Sequence, residues 1–404
     1  MDAKTQEILT WIAGQRDTML TRVVQWAEIN SYTRNIAGLA NLTKKVAADF
    51  SVLGGEIALH DLPPAGAIGP RGQNIQIPLG QAIVIDKRPD SSIRVLLNIH
   101  LDTVYPPDSS FLTVTLEGDR VRGPGVADAK GGIAVMLTAL EALERSPVAS
   151  RIGWRVLLNP DEEIGSPGSS ALLAQAAKDC HFGLLFEPAP VDGGLIDRRK
   201  GSGNFSIVVR GKAAHAGRAF EEGRSAVLAA AKISLRLHEL NRSVPGITLN
   251  IGAIDGGGPA NVVPDLAICR INIRTAEPAD EQKILSAIAP ILAEVNTTDG
   301  ISAELHGQFA SPPKIPDARM LHLLKSIIDC GRELGLSLPT RASGGASDGN
   351  RLAAAGLPNI DTLGVRGDHI HSPDEFMVIP SLVERAQLTA LLLLKIAAGE
   401  IPAP

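Results

Sequence analysis

The sequence predicts an α/β fold in which a smaller α+β domain is inserted into a domain built on a doubly wound, mainly parallel sheet. Apolar runs alternate with helical patterns between about residues 94 and 196, as they do in parallel βαβ units. From about residue 201 to residue 310 the order becomes strand, helix, two strands, helix and strand, which is the ferredoxin-like order. The length of 404 residues also exceeds the roughly 250 to 300 at which one core stops growing.

The first domain is recognisable from its alternating segments. The apolar runs are RVLLNIHL, RIGWRVLLNP and FGLLFEP, and the helical patterns between them are GGIAVMLTALEAL and SSALLAQAAKD. Continuous apolar runs are typical of strands that are covered on both faces. Helices up to Phe50 precede these segments, and the Pro/Gly-rich segment LHDLPPAGAIGPRGQNIQIPLG predicts an irregular connection.

The inserted domain has its own set of segments. Its strands are NFSIVVRG, ITLNIGAI, LAICRINIRT and ISAELHGQF, and its helices are RSAVLAAAKISLRLHEL and DEQKILSAIAPILAEV. After Lys314 the chain reads helix, GGASDG, helix and the run LPNIDTLGV, which predicts a return to the first sheet. We therefore predict one discontinuous domain at residues 1–200 and 312–404, with the inserted domain at residues 201–311.

Composition excludes several classes of function. The net charge of −5 and the lack of a basic run argue against a nucleic-acid partner and favour small-molecule substrates. No apolar stretch approaches the roughly 18 residues that span a bilayer, and MDAKTQEILTWIAGQRD lacks the order of a secretory signal. We expect a cytoplasmic protein without membrane contact, in which Cys180, Cys269 and Cys330 are reduced thiols that carry no chemistry.

Histidine and acidic residues follow the predicted strands directly. The strand-end residues are His100 and Asp102, Glu162 and Glu163, Glu187 and His371, and Asp128 joins them from a glycine-rich turn before a helix that starts near Lys130. Because the carboxyl ends of parallel strands meet at one edge of a sheet, we expect these side chains to converge. Several carboxylates in one crevice raise each other's pKa unless cations neutralise them, so the pattern predicts bound divalent metal.

The types of side chain indicate which metals would bind. Two histidines and three carboxylates suit zinc, with cobalt or manganese as substitutes, and one shared aspartate can bridge two ions. Asp102 lies two residues beyond His100 and could accept the other imidazole N–H, which would fix the tautomer of that ring.

Eight motifs in a fixed order extend from about Val95 to the C-terminus. They are HLDTV, GPGVADAKGG, DEEIGS, FEP, GKAAHAG, NVVPD, GGASDGN and HSPDEF. Through these motifs the chain resembles the di-zinc metallopeptidase and amidohydrolase family of acetylornithine deacetylase, succinyl-diaminopimelate desuccinylase, aminoacylase-1 and carboxypeptidase G. Glutamate at Glu187, rather than aspartate, resembles the carboxypeptidases and acyl-amino-acid hydrolases of that family, in particular the carboxypeptidase G-like glutamate carboxypeptidases.

The resemblance implies two metal ions and a general base. One ion takes His100 and Glu187, the other takes Glu163 and His371, and Asp128 bridges them. Glu162 is implied as the general base that deprotonates a metal-activated water, and Asp102, the orienting partner of His100, counts with it among the catalytic residues. The implied reaction is hydrolysis of the amide bond in a C-terminal peptide or an N-acyl amino acid, with N-deacylation of the acetylornithine type as the alternative.

The resemblance also makes the inserted domain a dimerisation domain, or lid. His215 of the lid is implied to reach the site of the partner subunit in a homodimer and to stabilise the oxyanion. Asn261 and Arg274 are implied to hold the substrate, and an arginine suits a free carboxylate. Gly344 and Gly345 offer backbone N–H groups near the same place.

Two rival functions stay open at this stage. GASDG, from Gly345 to Gly349, fits the nucleophile elbow of a serine hydrolase with Ser347 as nucleophile, and Asp361 and His369 or His371 follow it. The polar segment SLPTRASGG before it argues against that interpretation. A non-catalytic small-molecule binding protein is the other rival, although the implied base and all the implied ligands are present.

Single residues also have simpler interpretations. Asp128 could cap the helix that follows it, and capping does not exclude ligation. His215 could be an ordinary loop histidine, and Arg274 could lie on the outer face of an alternating strand. His369, unlike His371, is expected to be a loop histidine.

Overall fold

The computed structural model describes residues 2–403, which form ten α-helices together with strands and short helical turns. The α-helices are α1 Ala3–Ala13, α2 Arg16–Ala27, α3 Ile36–Phe50, α4 Gly132–Glu144, α5 Ser170–Asp179, α6 Ala226–Ser243, α7 Pro278–Val295, α8 Ala318–Glu333, α9 Asp348–Ala354 and α10 Pro380–Ala398. The strands are β1 Glu56–Asp61, β2 Ala65–Ile68, β3 Asn74–Ile77, β4 Gln81–Lys87, β5 Arg94–His100, β6 Thr115–Glu117, β7 Arg120–Arg122, β8 Gly153–Asn159, β9 Phe182–Leu185, β10 Leu195–Arg199, β11 Gly201–Arg210, β12 Ala214–His215, β13 Thr248–Gly256, β14 Val262–Val263, β15 Leu266–Thr275, β16 Ser302–Ser311, β17 Thr340–Ser343, β18 Asn359–Ile360, β19 Gly367–Asp368 and β20 Phe376–Val378.

The large sheet of the first domain is mainly parallel, as the sequence predicts. Its strand order is β1-β4-β8-β5-β9-β18, and the pairs β5/β8, β5/β9 and β9/β18 are parallel. β4 runs antiparallel to both of its neighbours. The return of the chain to this sheet at β18, after the inserted domain, was also predicted, and it is confirmed.

Side chains of the central strand alternate between two cores. All seven residues of β5 are buried. Val95, Leu97 and Ile99 pack into the core that contains α4 and α10, whereas Leu96 packs into the core that contains α5 and α9. Helices therefore cover both faces of the sheet, which makes it doubly wound and explains the continuous apolar run RVLLNI.

The inserted domain has the predicted ferredoxin-like topology. Its sheet has the order β13-β15-β11-β16 with every pair antiparallel, and α6 and α7 share a core with it. β15 alternates strictly over its second half: Cys269, Ile271 and Ile273 face the helices, and Arg270, Asn272 and Arg274 do not. Around Arg270, Asn272 and Arg274 the face of this sheet that lies opposite the helices is therefore polar, and it turns towards the first domain. Its strands run from Gly201 to Ser311, and we keep residues 201–311 as the proposed limits of the domain.

The Pro/Gly-rich segment before β4 is more regular than the sequence suggested. It contains β2 and β3, which pair as an antiparallel hairpin around the turn at Gly69–Gly72. Ile68 of this hairpin packs against Val208 and Ile268, which form the apolar part of the same face of the lid sheet. The expected irregular connection is thus an ordered contact between the two domains.

Among residues 2–403, no helix combines the length and the apolar character that crossing a bilayer requires.

Candidate metal centre and active site

His100 ends the central strand and is fixed on both sides of its ring. Its Nε2 lies 2.9 Å from Oδ1 of Asp128. Its Nδ1 lies 3.0 Å from the backbone carbonyl oxygen of Asp102 and 3.4 Å from Oδ1 of the same residue. The Asp102 carbonyl therefore shares the orienting contact that the sequence assigned to the Asp102 carboxylate, and Nε2 points into the cluster.

The Asp102 carboxylate has a second task that the sequence did not reveal. It is fully buried and accepts hydrogen bonds from the backbone N–H groups of Glu162 at 3.1 Å and Glu163 at 3.2 Å. It also accepts the hydroxyl of Thr33 at 2.7 Å. Glu162–Ile164 form a single turn of 3₁₀-helix, so Asp102 holds the turn that presents the glutamate pair.

Asp128 lies between the two histidines. It belongs to the helical turn Val126–Gly131, where its backbone is not helical, and α4 begins only at Gly132. Its Oδ1 faces His100, and its Oδ2 lies 3.3 Å from Nε2 of His371. Asp128 is therefore not a helix cap, because both of its carboxylate oxygens face imidazole rings.

Glu375 positions Asp128, and the sequence interpretation gave it no role. Its buried carboxylate accepts the backbone N–H groups of Gly125, Ala127 and Asp128 at 3.0 to 3.2 Å and the hydroxyl of Tyr105 at 2.7 Å. The signal that could have found it is its place in the motif HSPDEF, four residues after His371. A carboxylate that receives three N–H groups of one loop fixes the shape of that loop.

Two groups of candidate metal ligands share Asp128. His100, Asp128 and Glu187 form one group, and Asp128, Glu163 and His371 form the other, with the ligand atoms of each group within 4.8 Å of one another. Imidazole nitrogens and carboxylate oxygens in this number suit two divalent ions. The structure therefore groups the five residues in the two sets that the resemblance implies.

Burial and mutual repulsion raise the pKa of the carboxylates around this centre. Burial raises the pKa of Glu187 to about 8 and that of Glu162 well above its usual range, and the charge of Glu187 raises the pKa of Glu162 further. The pKa of Glu163 is also raised by burial. Hydrogen bonds to Asp128 and Glu163 raise the pKa of His371 to about 11. Without cations, protons held by these side chains thus offset the negative charge of the cluster. Bound metal ions would take over that role and release the protons.

A cavity of about 700 Å³ opens over the ligand groups. Glu162, Glu163 and Glu187 line it from the first domain, and Arg274 lines it from the lid sheet. The Nε of Arg274 donates to Oδ1 of Asn272 at 2.8 Å, which holds the guanidinium in the wall of the same cavity as the glutamates. Arg274 therefore faces the centre and does not lie on an outer face.

The other lid residues lie away from this cavity within one chain. His215 is exposed on β12, which pairs with β14, and the carbonyl oxygen of Asn261 accepts the N–H of Ala216 at 2.9 Å. Neither residue is in the wall of the cavity. The structure thus brings His215 and Asn261 close to each other but not to the metal ligands of their own chain.

Gly344 and Gly345 do not offer the pair of free backbone N–H groups in the cavity that the sequence suggested. Gly345 lines the cavity, whereas Gly344 does not. The N–H of Gly345 donates to Oγ of Ser343 at 3.1 Å, and its carbonyl accepts from Arg199 at 3.3 Å. The backbone donor that the sequence assigned to Gly345 is therefore already used inside the protein.

A buried ion cluster supports the wall beside Glu187. Nε and Nη2 of Arg199 both lie 2.9 Å from the carboxylate oxygens of Asp361, and Nζ of Lys314 lies 2.9 Å from the same group. Asp361 and Lys314 are fully buried, and Arg199 lines the cavity. Although burial opposes it, the two cations lower the pKa of Asp361 to about 2. The cluster has one positive charge in excess and lies close to the acidic centre.

The structure does not assemble the rival serine site. Ser347 is buried as the N-cap of α9, and its Oγ accepts the N–H of Gly349. Asp361 is paired with Arg199 and Lys314, and His371 faces Asp128 and Glu163. Within residues 2–403, no histidine is hydrogen-bonded to Ser347. His369 is exposed in its loop, as expected.

The fold and the paired ligand sets together define a two-domain α/β protein with a candidate dinuclear metal centre. Residues 96–395 match peptidase family M20/M25/M40, and the chain belongs to this family. Members of the family are metal-dependent hydrolases of peptide and related amide bonds. The chain is 28% identical to carboxypeptidase G2 of Pseudomonas sp. (strain RS-16), over 97% of this chain and 95% of that protein.

Solved structures show the same fold. The dipeptidase Dug1p from Saccharomyces cerevisiae superposes with a TM-score of 0.79 at 14% identity, over 98% of this chain and 99% of that one. The M20 family metallo-carboxypeptidase Sso-CP2 from Sulfolobus solfataricus gives 0.75 at 16% identity, over 93% of this chain and 98% of that one. The predicted fold class and family resemblance are confirmed.

Zinc binding to the metal-free protein should tighten as the pH rises from about 6 to 8. In the metal-free protein Glu187, with a pKa of about 8, and His371, with a pKa of about 11, hold protons that an ion must displace. Each displaced proton gives about a tenfold gain in affinity per pH unit. Calorimetry in two buffers of different ionisation enthalpy would count the protons released, and a pH-independent affinity would contradict this prediction.

Replacement of Glu375 should destabilise the loop that carries Asp128. We expect Glu375→Ala to lower the free energy of unfolding by about 3 to 5 kcal/mol, because it leaves three buried N–H groups without an acceptor. Glu375→Gln should cost less, because one amide oxygen remains. Urea unfolding measures both, and Asp374→Ala, at an exposed neighbour, should stay within about 0.5 kcal/mol of the wild type. Equal effects at positions 374 and 375 would count against this role of Glu375.

Proposed function

We propose that the protein is a hydrolase with two divalent metal ions, most suitably zinc, that cleaves the amide bond of a C-terminal peptide or an N-acyl amino acid. The observation that carries the proposal is the pair of ligand groups joined at Asp128, with Glu162 in the cavity wall beside them. In this proposal His100 and Glu187 hold one ion, Glu163 and His371 hold the other, and Asp128 holds both. Cobalt and manganese suit the same donor set.

Bound ions would polarise the amide carbonyl and lower the pKa of a nearby water molecule. Glu162 would remove a proton from that water as the general base and then give the proton to the leaving amine. Burial raises the pKa of Glu162, and a raised pKa favours the first step, because it makes the carboxylate a stronger base towards that water. Asp102 would keep Glu162 in place through the hydrogen bond to its backbone N–H.

The substrate would be a small molecule with a free carboxylate. Arg274 faces Glu162 across the cavity, and a guanidinium suits a carboxylate beside the scissile amide. The similarity to carboxypeptidase G2 over nearly the whole chain supports a carboxypeptidase activity. N-deacylation of the acetylornithine or aminoacylase type is the alternative, because it uses the same chemistry and differs in which side of the amide the pocket selects.

We propose that the active form is a homodimer joined through the lid. β13 is an edge strand of the lid sheet, and α6 beside it carries the exposed side chains Leu228 and Leu235, which are 57% and 71% exposed. An open strand edge next to exposed leucines favours pairing with a second copy. His215 would then complete the site of the partner subunit, because it lies away from the centre of its own chain.

A cytoplasmic location is supported by the cysteines. Cys180, Cys269 and Cys330 are all free and buried, which suits a reducing compartment.

Replacement of Glu162 by glutamine should abolish turnover without loss of metal. The panel would contain N-acyl amino acids and peptides that end in glutamate, incubated with zinc-loaded protein. We expect the rate of Glu162→Gln to fall by a factor of about 10² to 10⁴, because the general base is lost while the five ligands remain. Glu221→Gln, at an exposed lid residue, should match the wild type. Equal activity of Glu162→Gln and the wild type would refute the assigned base, and preferred cleavage of the acyl substrates would favour the deacylase.

Mixed dimers should recover activity from two inactive variants. Glu162→Gln removes the base of one chain, and His215→Ala removes the group that the chain would lend to its partner. In a statistical mixture, heterodimers with one complete site should restore about a quarter of the wild-type activity. Steady-state rates before and after co-refolding measure this. A mixture that stays inactive, or full activity of His215→Ala by itself, would contradict the exchange of His215 between subunits.

A further inference from the structure

A second cavity lies between the β2–β3 hairpin and the polar face of the lid sheet. It has a volume of about 540 Å³, and we call it the hairpin cavity. Gly66–Ile68 and Asn74–Gln76 of the hairpin form one wall, and residues of β11, β13, β15 and β16 form the floor. Arg270 fastens the two parts together, because its Nη1 donates to the carbonyl oxygen of Ile68 at 3.2 Å. The cavity is therefore shaped by both domains at once.

The hairpin cavity continues the cavity over the metal ligands. Asn204 and Asn272 line both cavities. These two residues are cross-strand partners, and the next pair on the same face of the sheet, two residues along, is Ser202 with Arg274. At about 3.4 Å per residue, Asn272 lies roughly 7 Å beyond Arg274 along β15. A group attached to a carboxylate held by Arg274 can thus extend directly into the hairpin cavity.

The walls of the hairpin cavity favour an uncharged, apolar group. Most of its surface is carbon, with Ala67, Ile68 and Ile75 on the hairpin side. The one arginine in the wall, Arg270, is already neutralised by Asp255 at 2.7 Å. His306, the other ionisable group there, lies 3.6 Å from Glu304. Among the residues of this wall no unpaired cation remains to hold a second carboxylate.

Glycine provides the space for such a group. Gly66 has no atom within 4 Å of the position where a Cβ would stand, so this part of the wall is open. Gly307, on the floor, has a φ of +112°, and a Cβ there would lie 2.3 Å from the carbonyl oxygen of Asn204. A side chain is therefore absent at Gly66, where the wall is open, and the backbone at Gly307 admits no side chain at all.

We propose that the hairpin cavity is a specificity subsite for the substrate. It would take a large apolar side chain, such as an aromatic group, carried by the amino acid whose carboxylate contacts Arg274. This inference rests on the proposed function for the position of the scissile amide, and it deepens that function by naming the side chain. It selects an aromatic residue over glutamate on the amine side of the bond.

Binding to zinc-loaded Glu162→Gln protein tests the subsite without any hydrolysis. The probes are N-acetyl-biphenylalanine, N-acetyl-alanine and N-acetyl-glutamate, which differ only in the side chain, and calorimetry gives their dissociation constants. We expect the biphenyl probe to bind at least about tenfold more tightly than the other two. Gly66→Phe and Ile75→Trp, each added to the Glu162→Gln background, should reduce that preference about tenfold by filling the cavity. The use of two filling positions guards against a variant that fails to fold.

Leu59→Trp is the matched control, since Leu59 is 47% exposed on β1 and does not line the cavity. The proposal is supported if the preference for the biphenyl probe is lost in the filled variants and kept in Leu59→Trp. It is overturned if glutamate is the preferred side chain, or if the filled variants and Leu59→Trp behave alike. Specific binding of the biphenyl probe by a protein that cleaves no amide would contradict the proposed function and still support the subsite.

Discussion

Buried acidic groups that converge on Asp128 are the constraint on which the rest of the structure depends. Asp128, Glu162, Glu163 and Glu187 cannot all be ionised in one crevice without cations, and burial raises the pKa of the three glutamates accordingly. Two of the backbone segments that carry this charge are each held by a further carboxylate. Asp102 fixes the turn of the glutamate pair, and Glu375 fixes the loop of Asp128.

The parallel sheet and the lid sheet contribute different kinds of side chain to the cavity over the metal ligands. The parallel sheet delivers metal ligands at its strand ends, since three of its strands reach the same edge there. The lid sheet contributes a polar face, because strict alternation along β15 directs Arg270, Asn272 and Arg274 away from the lid core. The hairpin of β2 and β3 then packs on that face. The side chains of the lid that line the cavity are thus placed by the alternation of residues along a strand. The metal ligands, in contrast, are placed at the ends of strands.

Local sequence predicted the parts of this molecule that depend on one segment at a time. The run RVLLNI is apolar throughout because both faces of β5 are covered, and His100 follows it where the strand must end. The hairpin was missed because proline and glycine dominate its composition, although Ile68 and Ile75 alternate with small or polar neighbours. Glu375, Arg199 and Lys314 were not assigned a role, since their partners lie far away in the chain and only the folded protein brings them together. The hydrogen bond between Gly345 and Ser343 could not be predicted either, because no spacing in the sequence indicates that Oγ of Ser343 accepts the N–H of Gly345.

The buried ion cluster of Arg199, Asp361 and Lys314 limits which substitutions can be accepted at these three positions during evolution. Lys314 follows the lid, Asp361 follows β18 and Arg199 ends β10, so mutations in three separate stretches of the gene meet in one ion cluster. Loss of Asp361 alone would leave two cations facing each other in the interior, and a neutral residue in place of either cation would alter the field at the neighbouring glutamates. Divergence at these positions is therefore expected to occur in concert, and homologous chains should either keep all three or have exchanged them together.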